Sequence, residues 1–486
     1  MSSMADVRDI FRGALASLGG FGGRLIARII LMIVAGQQFG AVELGVLGQV
    51  AAIVEILTAI GVMGLKRSLL NMLSLDAKEK QPIGRRVLEA ITVSTIVALA
   101  LSLLLALVWP SLFPDRPEIP VILIFAIPAM VFTEVSLTAI KFKRIIKWDV
   151  ISRGILEPWS FLIFSVTLYL MGIIHNGLII AYAGSLIVSG LVGLTGVFKA
   201  FGARVLFENT PNLKNCLSLP KRSWPVGITD IGIMMFRRID ILILALFTGH
   251  GGTGVYYMVQ QIVTVPQKIN QLFEPMMSPV VAKLHHDFDV YGIRLKLVGF
   301  CRWVFTIQIG LTLPFLVYGD YILGIFGDQF LVGWLVLSLV LIAELLDGSF
   351  ALMETPLLFS KPKVPPFLII MTLIIEVSTI YYFSSIWGVF GTGVGFLIAM
   401  ASLALGRIIM LNRHLNIFIL DKSYIPPLFI SIIVGGILYT SRFIFSTESA
   451  ITVSISIFLG LVGYYYLVKF FGLTKVDRIL LRRLLK

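Results

Sequence analysis

Apolar residues in this chain do not mark one face of a helix or alternate along a strand. They fill whole blocks of about 20 residues, the length a helix needs to cross a hydrocarbon core of about 30 Å. Blocks start near residues 16, 43, 87, 120, 154 and 177, recur near 224, 254, 298, 332, 364 and 387, and end with a pair near 424 and 449. The pattern predicts an all-α membrane protein of about 14 transmembrane helices.

The polar residues between the blocks give the orientation. Lys66, Arg67, Lys78, Lys80, Arg85 and Arg86 lie between spans 2 and 3, Lys141, Lys143, Arg144, Lys147 and Arg153 between spans 4 and 5, and Lys199, Arg204, Lys214, Lys221 and Arg222 between spans 6 and 7. The intervening connections offer only Arg116 and Arg442. Basic residues near span ends are retained in the cytoplasm, so both termini are expected there. The net charge of +13 is accounted for by this bias and by attraction to anionic headgroups, and no nucleic-acid partner is expected.

The connections on the other side are short, such as 37–43, 111–119, 175–176 and 249–252, and leave no room for a soluble domain of about 50 residues. No metal-binding Cys or His cluster, nucleotide-binding Gly-rich loop or nucleophile elbow is present. An enzyme acting on an extracytoplasmic substrate needs a loop to hold it, which weakens a polymerase or ligase reading and leaves transport. Neither a cofactor nor a metal is expected.

Shifting the chain by 209 residues sets Arg28 on Arg237, Gly40 on Gly249, Gly45-Val46 on Gly254-Val255 and Ile53-Val54 on Ile262-Val263. This suggests an internal duplication. Six spans per half is an even number, so the halves would be two lobes related by an axis along the membrane normal, with cargo bound between them near the midplane. The expected divisions are 1–205 for spans 1–6, 206–415 for spans 7–12, and 416–486 for the C-terminal pair and basic tail.

A charge near the bilayer centre costs about 2.5–3.5 kcal/mol on insertion scales, so each one calls for a partner, a wet cavity or a function. Span 1 carries Arg24 and Arg28 four residues apart, on one helix face. Span 7 holds Asp230, Arg237, Arg238 and Asp240. Arg237 and Asp240, three apart, could form an ion pair, while Arg238 points about 100° away. Span 8 has a polar stripe at helical period, Gln260, Thr264, Gln267, Gln271 and Glu274, flanked by Gln261 and Lys268. Such a stripe must face another helix or water. Amides both donate and accept, which suits sugar hydroxyls. Pro266, within the stripe, makes this span a candidate bending element. Glu55, Glu134, Glu157, Glu344, Asp347, Glu354 and Glu376 are further carboxylates in or near spans, with Glu157-Pro158 read as structural.

The segments "FGAVELGVLGQVAAIVEILTAIGVMGLKRSLL", "RRIDILILALFTGHGGTGVYYMVQQI", "GDYILGIFGDQFLVGW" and "LTKVDRILLRRLL" resemble the Wzx-type polysaccharide-biosynthesis flippases of the multidrug/oligosaccharidyl-lipid/polysaccharide exporter superfamily. The resemblance implies flipping of an undecaprenyl-diphosphate-linked oligosaccharide across the bacterial inner membrane by alternating access, for O-antigen, capsule or exopolysaccharide synthesis. It also implies a cationic cavity for the anionic head. Arg24, Arg28, Arg237, Arg238 and Lys268 are the candidates for that cavity, with Gln260, Thr264, Gln267 and Gln271 for the sugars. Glu55, Asp240 and Glu274 are the candidates for a coupling cation, proton or sodium. A glycan polymerase or chain-length complex would be the partner. A lipid II flippase, a multidrug exporter and a membrane-embedded polymerase or ligase remain as alternatives.

Overall fold

The computed structural model describes residues 22–202, 213–444, 450–473 and 477. Every regular element among them is helical, as an apolar environment demands, since only a helix satisfies its own backbone polar groups within one segment. Nine of the described helices are long and apolar enough to cross a membrane. The chain is therefore a multi-pass membrane protein of the expected all-α class. The figure of fourteen comes from the hydropathy blocks.

By their internal contacts the residues group into two units, 1–242 and 243–486. In the first, a helix over 22–39 (α1) ends in a π-helical turn, Ala35–Phe39. It is followed by α2 (Gly40–Val62), α3 (Leu65–Lys78), α4 (Ile83–Leu112) and α5 (Ile119–Phe142). A second π-helical segment, Val150–Leu156, leads into α6 (Glu157–Leu170), and α7 spans Gly177–Phe201. Pro158 follows the π-helical segment with no break in the helical backbone, so it removes one backbone hydrogen bond where the ladder changes register. The long α8 (Leu213–Gln267) runs on into the second unit.

That unit continues with α9 (Ile269–His286), α10 (Val290–Val317), the short α11 (Gly319–Phe326), α12 (Trp334–Phe350), α13 (Glu354–Ser360), α14 (Val364–Leu415), α15 (Ile425–Ile444) and α16 (Ala450–Leu467). The C-terminal pair packs on α10. Leu313 and Tyr318 share a core with Ile430, Val434, Val453 and Tyr464, and the Tyr464 hydroxyl donates to the Thr306 carbonyl at 2.8 Å.

A straight 55-residue helix would be roughly 80 Å long, more than twice the membrane core. Gly249, at φ 62° and ψ −164°, interrupts α8. Gly40, the residue that the 209-residue shift places on it, has φ 87° and ψ 175° at the junction of α1 and α2. Both lie in a region of backbone space open essentially to glycine alone. Gly388 breaks α14 in a similar way.

The basic connection between spans 2 and 3 is not a loop. Leu65, Leu69 and Leu73 recur every four residues and are fully buried, so residues 65–78 form a helix packed on its neighbours by one face. Met63 and Gly64, both with positive φ, make the corner that separates α3 from α2. Hydropathy overlooks α3 because it is short and carries several charges.

Candidate functional site

The basic residues of the two basic-poor connections are both structural. Arg116, 6% exposed, lies between α4 and α5 and holds Glu43 through two hydrogen bonds of 3.0 and 2.8 Å. It also donates to the Asn176 side chain at 2.6 Å, and the Asn176 backbone N–H donates to Glu43 at 3.1 Å. Trp109 Nε1 donates to the Arg116 carbonyl at 2.9 Å. Three connections are tied together at this point. At its edge a backbone N–H, then the His175 imidazole and the Asn176 amide, hold the Glu118 carboxyl below its usual range. In the second unit Arg442 pairs with Asp320 and donates to the Val317 carbonyl at 2.9 Å.

The candidate cations behave differently from one another. Arg24 and Arg28 lie on α1, with Arg24 exposed and Arg28 half-buried. On α8, Arg238 forms a two-point pair with Glu55 of α2, at 2.6 and 3.1 Å. One residue expected at the substrate and one expected at a coupling ion are thus each other's partners. Asp240 is buried and accepts from the Ile241 N–H at 2.8 Å. No ion pair joins it to Arg237. The Arg237 side chain is exposed and makes no hydrogen bond or ion pair among the described residues. All six of these residues fall in the first unit.

The polar stripe lies in the second unit and is divided. Gln267 Nε2 donates to Glu344 Oε1 at 3.0 Å, and the Glu344 carbonyl accepts from Gln308 Nε2 at 2.8 Å. The Thr264 hydroxyl bonds back to the Gln260 carbonyl at 3.0 Å. Gln271 and Glu274 are exposed. Between these groups the helix is interrupted at Lys268, two residues beyond Pro266, which removes one backbone hydrogen bond and crowds the preceding turn. Single cysteines at Gln260, Thr264, Gln267 and Gln271 should react with a small hydrophilic thiol reagent fastest at 271 and slowest at 267. Equal protection at all four positions would show a dry helix interface instead.

Several ionic contacts are legible in the sequence only as residue types. Glu134 meets Lys66 at 3.2 Å and Arg153 at 2.6 Å, and Arg67 meets Asp230 at 3.0 Å. In the second unit the buried Arg407 holds Asp347 at 2.7 Å and Glu354 at 2.6 Å. The signal is present as carboxylates within apolar blocks and cations at their ends, but partners so distant along the chain cannot be matched without coordinates. No group of three metal-ligating side chains occurs among the described residues.

The chain is a member of the polysaccharide biosynthesis protein family, whose model matches residues 11–285. None of the curated proteins compared with it matches. Among solved structures it is similar to the lipid II flippase MurJ in an inward closed conformation, with a TM-score of 0.78 and 14% identity over 97% of this chain and 100% of that one. An inward-facing MATE family multidrug transporter of the MOP superfamily gives a TM-score of 0.65 and 12% identity over 82% and 98% of the two chains. A Vibrio cholerae MATE transporter gives 0.53 and 13% over 84% and 97%. At these identities the shared property is the fold.

Proposed function

We propose that the protein flips a polyprenyl-diphosphate-linked oligosaccharide from the cytoplasmic to the outer leaflet of a bacterial inner membrane, by alternating access and with both termini cytoplasmic. The reading is supported by the family match and carried by one observation, the exposed Arg237 within an apolar block. A guanidinium kept at such a place without a partner among the described residues is poorly explained by stability and well suited to phosphate oxygens, which it binds in a two-point geometry. Arg28, its equivalent under the 209-residue shift, and Arg24 and Lys268 complete the proposed cationic set. The amides of the stripe supply donors and acceptors for sugar hydroxyls. The sequence divisions 1–205, 206–415 and 416–486 belong to the same proposal.

Coupling by a proton or sodium ion through Glu55, Asp240 or Glu274 is part of the reading. The Arg238–Glu55 pair gives it a route, because an anionic head that attracts Arg238 would release the Glu55 carboxylate to take up a cation. A cationic drug is a poor match for exposed arginines. Lipid II carries the same diphosphate, so the test must separate the two cargoes. Proteoliposomes holding the purified chain should expose undecaprenyl-diphosphate oligosaccharide to an external glycan-cleaving enzyme faster than protein-free liposomes do, and faster than they expose lipid II. Equal rates with and without protein, or a preference for lipid II, would overturn the assignment.

A further inference from the structure

The basic residues of the connections between spans 2 and 3 and spans 4 and 5 are accounted for as orientation signals, yet the fold gathers four of them into one place. Lys66, Arg67, Lys141 and Arg153 line a pocket of about 210 Å³ that contains a single carboxylate, Glu134. All lie in the first unit. The volume is that of roughly seven waters at about 30 Å³ each.

Each of these cations has a carboxylate partner, but the partners are unevenly placed about the pocket. Glu134 bridges Lys66 and Arg153. Arg67 and Lys141 turn to Asp230 and Asp149, which stand outside the lining, at 3.0 and 3.2 Å. The Lys66, Arg67 and Lys141 side chains are 53, 58 and 42% exposed, while their carboxylate partners are 11, 15 and 27% exposed, so it is the cations that stay accessible. Only one of the three partner carboxylates lines the cavity, so the charge on its wall is predominantly positive and would attract an anion. Lysine carries three N–H donors and arginine five, so donors remain for a ligand with several acceptor oxygens. Leu70, Leu137 and Thr138 complete the wall, two of the three being apolar. A free phosphate ion has no use for an apolar wall, whereas a phosphate attached to a lipid brings hydrocarbon with it. The pocket also sits where lipid headgroups are found, at the span ends that the basic residues assign to the cytoplasm.

We propose that this pocket binds the phosphate or diphosphate headgroup of a membrane lipid. It uses none of the residues assigned to translocation, and it stands or falls separately from the cargo reading, because its test measures binding without transport. Two sources share this chemistry, the diphosphate of the cargo and the phosphate of bulk anionic phospholipid.

The full chain in phosphatidylcholine nanodiscs is titrated with inorganic pyrophosphate. The Lys66→Gln/Lys141→Gln variant should bind it at least fivefold more weakly. Glu134→Gln, which removes the only carboxylate in the lining, should bind it at least threefold more tightly, a gain that misfolding cannot produce. Adding phosphatidylglycerol to the nanodiscs should weaken pyrophosphate binding to the unmodified chain if bulk lipid is the occupant. Undecaprenyl diphosphate at a trace mole fraction should do so, with phosphatidylglycerol inert, if the occupant is the cargo head. Affinities within twofold of the unmodified chain for both variants would overturn the proposal and leave the cluster as ion pairing alone.

Discussion

Arg237→Ala is expected to slow glycan-lipid flipping in proteoliposomes by about 10- to 100-fold while the protein still inserts. A charge-assisted hydrogen bond is worth about 1.5–3 kcal/mol, and under the proposed function the exposed guanidinium would make two of them with a diphosphate. Insertion should be preserved, because removing a charge from an apolar span lowers the cost of placing it in lipid. The substitution also leaves no carboxylate stranded, since Arg237 has no ion pair with Asp240. The Arg237→Ala/Asp240→Asn double variant should therefore resemble Asp240→Asn and Arg237→Ala combined, without mutual rescue. Lysine at 237 should restore only part of the rate, as it keeps the charge and loses the planar fork. Arg28→Ala should show a loss of similar size. Normal flipping by both alanine variants would make these arginines structural and end the site assignment.

Arg116→Met should destabilise the first unit by about 3–5 kcal/mol, because it leaves Glu43 buried without its cation. At about 2–4 °C per kcal/mol for a body of 150–250 residues, the apparent unfolding midpoint in detergent should fall by roughly 10 °C. Adding Glu43→Gln should recover much of the loss, since the remaining amide carries no charge and can still bond to Asn176. Glu118→Gln, at the half-exposed edge of the same cluster, should cost less than about 1 kcal/mol. A midpoint for Arg116→Met within a degree of the unmodified protein would mean that the cluster does not hold these connections together.

The all-helical membrane class is readable because an apolar block of membrane length suits a span and little else. Orientation signals are readable in the same direct way, as counts of Lys and Arg. What the sequence conceals is the pairing. Arg116 stands out along the chain as one of two exceptions to the basic-residue rule, and the fold shows it joining Glu43 and Asn176, residues 73 and 60 positions away. Arg238 and Glu55 suggest separate roles and are 183 positions apart. Helix α3 is hidden because its period-four leucines sit in a segment too charged for a hydropathy window. The stripe around Gln260 is visible from its spacing, but its division at Lys268 depends on where the strain introduced by Pro266 is released, and spacing does not fix that.

The single-residue breaks at Gly40 and Gly249 restrict what can stand there. Each break is made by one residue, and a Cβ at Gly249 would meet nothing within 4 Å, so it is the backbone conformation and not crowding that reserves the position for glycine; any other residue there would have to bear the strain or give up the break. Between α8 and α9 the interruption falls at Lys268, so under the proposed function a cation of the binding set would stand where the helix is broken.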